Sequence, residues 1–237
     1  MSGEVLVSGL SSADRDGVSG VSATVDRRAP AIAVAVAPLV LLAAFISHPY
    51  IGLGPPDEAA VATAAASSTV RWGIAHLMVA VASGLLLLAF VAIRAFLRDA
   101  GDQRWSARGL PLVIVGGTLY AVLPGMEFAA LAAVETGGDV RAAQAAVEPW
   151  FVPVILASGL AWAIGVVGFA KGLSSIGPRA RGVPGFAVVA LAAMGVSRMV
   201  PLTAVQFYVH AAAALIALWP LAYAMWRQPK VMRAARS

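Results

Sequence analysis

The chain has 237 residues, 60% of them hydrophobic and only 12% charged, with a mean hydropathy of +0.83. Soluble domains carry about 25% charge, so composition alone excludes an ordinary soluble domain and points to a polytopic membrane protein. The net charge of +5 is not a nucleic-acid signal, because the basic residues sit at the ends of apolar runs. The absence of cysteine excludes disulfides, thiolate metal sites and cysteine nucleophiles.

Residues 1–29 are polar, rich in Ser, Gly and Val, and read as a disordered cytoplasmic tail. Arg27-Arg28 followed by Ala31 to Ile46 resembles a signal peptide in outline. The preceding segment is long, however, and holds Glu4, Asp14, Asp16 and Asp26, and no small-residue cleavage site follows the run. An uncleaved first span is therefore expected.

Six spans follow, at 30–48, 70–94, 110–134, 150–171, 184–202 and 204–226, so the expected fold is an all-α polytopic bundle over 30–226 with a basic tail at 227–237. The second is the clearest: 22 residues separate Arg71 from Arg94, and His76 is the only ionisable one among them. About 20 such residues cross the ~30 Å hydrocarbon layer. Pro30, Pro111, Pro149 and Pro184 precede or open spans, where a missing N–H is harmless. Pro124 and Pro220 fall inside spans, and only Pro201-Leu202-Thr203 separates the fifth from the sixth. Gly168-x-x-x-Gly172 is a further candidate for close helix packing.

Orientation follows from Lys and Arg. With both termini cytoplasmic, 14 of the 17 basic residues lie inside, Arg71 and Arg141 lie outside, and Arg198 lies within a span. The outer loops hold Asp57, Glu58, Glu135, Asp139 and Glu148. Tyr50, Trp72 and Trp150 outside, with Trp105 and Trp226 inside, suit interface anchors.

This topology places the polar residues by depth. His48 ends the first helix, and His76 lies ~9 Å below the outer end of the second. Glu127 lies ~10 Å from the outer end of the third, and His210 about six residues into the sixth. All three histidines therefore share one leaflet with Glu127 and Arg198. Small residues flank them at helical spacing, as Ser83 and Gly84 do for His76 and Ala213 and Ala214 for His210, so they are expected to face the bundle interior. Unpaired charges are costly there, which makes Glu127 with Arg198 the natural ion pair or relay.

Three uses of this cluster compete. His76 and His210 suit the axial ligands of a b-type haem between the second and sixth helices. His48, His76, Glu127 and His210 suit a transition metal such as zinc or copper, with Met78, Met126 and Met199 at similar depth. His76, Glu127 and His210 also suit proton relay in a small transporter. A structural or assembly protein without a site is the plain alternative. No phosphate loop, HExxH or hydrolase set stands out, so the residues lean away from an enzyme without deciding it, and no nucleic-acid partner is expected.

His48-Pro49, a Gly/Pro-rich loop and Trp72-x-x-x-His76 opening a Leu-rich helix are similar to a pattern in poorly characterised six-helix membrane proteins of high-GC bacteria. The resemblance covers the first half of the chain. It implies a bacterial inner-membrane protein and carries no activity. The reading favoured by the residues is a bundle embedded in the lipid bilayer, with an outer-leaflet polar pocket that binds a cofactor or small ligand from the periplasmic or exterior side.

Overall fold

The computed structural model describes residues 28–55, 57–177 and 182–227, and every regular element among them is helical. The two expected tails lie outside the described residues except for Arg28, Ala29 and Arg227. In chain order the helices are α1 (Arg28–Ser47), α2 (Glu58–Ser67), α3 (Thr69–Asp99), α4 (Trp105–Thr136), α5 (Val140–Ile176), α6 (Phe186–Ser197) and α7 (His210–Arg227). A π-helical turn, Val205–Val209, runs directly into α7. Five helices are long and apolar enough to cross a membrane: α1, α3, α4, α5 and the continuous 205–227 stretch.

The element boundaries depart from expectation in four places. α4 begins at Trp105, so Pro111 lies inside it rather than in its first turn. α5 begins at Val140, where Asp139 accepts hydrogen bonds from the Arg141 and Ala142 N–H groups, so Pro149 and Pro153 lie inside the helix rather than at its start. The fifth expected span shrinks to the 12 residues of α6, about 18 Å long. Pro201 explains the early stop: it has no N–H for the Ser197 carbonyl, which instead accepts from Val200, closing a turn. Finally, the loop after His48 contains the helix α2, started by Asp57, whose carboxylate accepts from Ala59 and Ala60.

Helices α4 and α5 pack closely because small residues let their backbones meet. A Cβ on Gly116 would lie 2.6 Å from the Trp162 nitrogen, and one on Gly165 would lie 2.7 Å from the Val113 nitrogen. The Ser158 hydroxyl donates to the Gly116 carbonyl at 2.8 Å across the same contact. Gly168 and Gly172 serve this face too, Gly168 against Gly109 and Gly172 against Asp102. Below the contact, Phe90 meets Trp162 and Phe169 edge-on, with ring centroids 5.4 and 4.8 Å apart.

The two ends of the bundle differ. At the end holding the α3–α4 turn, Asp102 accepts from the N–H groups of Arg104, Trp105 and Ser106, and Arg94 donates to its carbonyl. At the opposite end α2 packs on Trp72 and Ala130 through Ala64 and Ala65. There the Gly54 carbonyl accepts both the N–H and the hydroxyl of Thr203, joining the segment before α2 to the reversal between α6 and α7.

Candidate functional site

Of the five residues singled out from the sequence, four fall into two neighbourhoods, and Glu127 stands apart on a cavity wall. The first holds His48 and His76, with ring centroids 4.9 Å apart and Trp72 against both. His48 follows α1 directly, and its Nδ1 lies 2.7 Å from the Pro49 carbonyl. On α3, the Nδ1 of His76 lies 2.7 Å from the Trp72 carbonyl. A carbonyl only accepts, so each ring is assigned its proton on Nδ1 and presents a bare Nε2. Burial holds the His48 pKa below its usual value. The nearby Arg71 charge acts the same way, and the Pro49 bond opposes both. Arg71 itself donates to the carbonyls of Ser47, Ile46 and His48, satisfying the exposed end of α1.

The second neighbourhood is built on Arg198 and His210. His210 is 0% exposed, and its Nδ1 lies 3.0 Å from the Met194 carbonyl and 2.8 Å from the Ser197 hydroxyl. Its Nε2 has no hydrogen-bond partner. Arg198 follows α6 directly, and its guanidinium lies over the rings of Tyr120 at 3.9 Å and Trp162 at 4.0 Å. Helical side chains lean toward the N-terminus of their helix, so this one reaches back into the bundle. Tyr120 and Trp162 stand near the middles of α4 and α5, which is deeper than the position of Arg198 in the sequence suggests.

Arg198 is 6% exposed, and neither Nη1 nor Nη2 has a hydrogen-bond partner. A charge at mid-membrane costs at least ~2.5–3.5 kcal/mol on insertion scales. A desolvated stack on an aromatic face returns roughly 0.5–2 kcal/mol, so two stacks offset much of that cost. The stacks engage the flat faces of the guanidinium and leave the edge N–H groups free. The expected ion pair with Glu127 does not form: both residues line the same cavity, and the rings hold Arg198 instead.

That cavity measures about 400 Å³ and lies between α2, α4, α5 and the 198–206 reversal. Its polar lining is Asp57, Glu58, Glu127, Glu148, Arg198 and Gln206, with Gln144 beside Glu127. Met126, Phe151, Ile155, Leu156 and Met199 supply much of the apolar wall. A water-sized space of about 10 Å³ adjoins Arg198, between Tyr120, Ile155, Gly159 and Gln206.

Among the described residues, no three of His, Asp and Glu gather closely enough to share a metal ion, so the set His48, His76, Glu127 and His210 is not assembled. His76 touches His48, Trp72 and Phe128, whereas His210 touches Trp162, Ser197 and Met194, with no partner in common. Glu127 meets the histidine neighbourhood only through its backbone, where its carbonyl accepts from Trp72 Nε1 at 3.2 Å.

Sequence reading misses Tyr120 and Trp162 as the seat of Arg198, because aromatic residues in apolar helices read as packing. It also misses α2 as a cavity wall. Compared with family models, curated proteins and solved structures, the chain matches none. The site is therefore read from its own chemistry.

Proposed function

We propose that this is a multi-pass membrane protein that binds a small amphiphilic ligand in the cavity at the α2 end. One observation carries the reading: a cavity of ligand size, mostly apolar, has a buried guanidinium in its wall with both terminal nitrogens unused. We place the α2 end outside and both termini in the cytoplasm. The described basic residues support this, since Arg28, Arg94, Arg98, Arg104, Arg108, Lys171 and Arg227 belong to the other end. On this placement α6 and the 205–227 stretch form the last hairpin, with the bilayer thinned locally around the short α6. The His48–His76 and His210–Ser197 contacts act as fixed supports that hold the cavity walls in register.

Native mass spectrometry of the detergent-purified protein tests the reading. Bound small-molecule adducts are expected on the wild type and are lost in Ile155→Trp, which fills the cavity. Adducts retained equally by the filled variant would overturn the cavity reading. An absorption spectrum is the companion measurement. A Soret band lost in His76→Ala and His210→Ala would replace this proposal with a haem-binding one.

A further inference from the structure

We infer that the ligand is an oxyanion on an apolar chain, its anionic end held by Nη1 and Nη2 of Arg198, and that it enters from the lipid. The inference rests on the cavity reading above and adds the class of ligand and its route.

Arg198 decides the class. A guanidinium offers only donors, and its fork matches a carboxylate or phosphate. Tyr120 and Trp162 lie 3.9 and 4.0 Å from its Cζ and hold it in place, and its Nη1 and Nη2 have no hydrogen-bond partner. The Nε1 of Trp162 is a further buried donor without a partner. Glu127 lines the same cavity without pairing with Arg198, so among the described residues no carboxylate serves this guanidinium.

The route follows from the remaining walls. Asp57 and Glu58 at the start of α2, with Glu148 in the early turns of α5, give the cavity a negative rim, which repels an anion arriving from water. The next turns of α5 are different. Val152 and Leu156 line the cavity and are also 41% and 60% exposed. A molecule dissolved in the membrane meets this apolar side, with Met126, Phe151 and Ile155 behind it to receive a hydrocarbon chain. A free fatty acid and an anionic lipid headgroup share this chemistry.

Binding to the full-length protein in nanodiscs of neutral phosphatidylcholine tests the inference, with radiolabelled laurate as the probe. Laurate binding is expected to be saturable and to be displaced by dodecyl phosphate. Dodecanol and dodecylamine are expected to compete at least about tenfold more weakly, the loss of one charge-assisted contact. Arg198→Gln should weaken laurate by at least about tenfold while leaving the weak binding of dodecanol in place, which shows that the cavity is still formed. Arg198→Lys, which keeps charge without the fork, should fall between the two.

Lysophosphatidate in place of laurate separates the sources. Tighter laurate binding marks a free acid, and tighter lysophosphatidate binding marks a lipid headgroup. Either result supports the class. Equal competition by dodecanol, or wild-type laurate affinity in Arg198→Gln, overturns the anion assignment while the cavity stands. Displacement by butyrate as strong as by laurate overturns the lipid route. If no chain binds to the wild type, or if Ile155→Trp binds laurate as the wild type does, the cavity reading itself fails.

Discussion

Asp102 and Arg198 are both buried charged residues just outside a helix end, and they are treated in opposite ways. Asp102 is 3% exposed and satisfied: three successive N–H groups donate to its carboxylate, and Gly172 leaves room for it. Arg198 is 6% exposed, with its faces covered and its terminal nitrogens unused. A buried charge whose hydrogen bonds are all spent inside the chain is holding a fold together. One whose donors are clamped and left open is available to something else.

Removing each charge should separate the two roles. The largest stability effect is expected for Asp102→Ala, which uncaps α4 and should cost about 0.5–2 kcal/mol in thermal unfolding. Ligand binding by the folded fraction should not change. Arg198→Met should do the reverse: stability stays level or rises by about 1 kcal/mol, as when a buried charge gives way to an apolar side chain, while anion binding is lost. A clear loss of stability in Arg198→Met would show that the aromatic stack is structural and would erase the contrast.

Acid sharpens the comparison further. Burial alone would raise the Asp102 carboxyl, but the hydrogen bonds it accepts from Ser106, Trp105 and Arg104 outweigh this and hold it below the usual carboxylate range. Its stabilisation is present above the ordinary pKa of about 3.9 and disappears as the pH falls through the lowered folded value. His48 is held below its usual 6.5, so the unfolded chain takes up this proton first and stability should decline as the pH drops below that value. This is the smallest expected effect. It is read as the difference between the pH–stability profiles of the wild type and His48→Gln below pH 6.5; identical profiles would remove His48 from the account.

Much of the architecture was legible because a membrane-crossing helix announces itself by length and hydropathy, as in α3. Counting residues along such helices sets His48, His76, Glu127, Arg198 and His210 at similar depths, as an expectation of the sequence. What could not be read has specific causes. Apart from Ser197 and Arg198, residues 184–202 carry no polar side chain, so hydropathy gives no sign that Pro201 stops α6 at Ser197. α2 is alanine-rich and only weakly patterned, and its place is set by Trp72 and Ala130, which are distant in sequence. Charge alone pairs Arg198 with Glu127. The actual neighbours of Arg198 are two rings on α4 and α5, chosen by packing that no spacing rule encodes.

The double hydrogen bond from Thr203 onto the Gly54 carbonyl has a mechanical consequence. One atom fastens the strap that leads into α2 to the bend that carries Arg198. A tug on either is shared by the other, so the roof of the chamber and its charged seat are geared to shift as one piece.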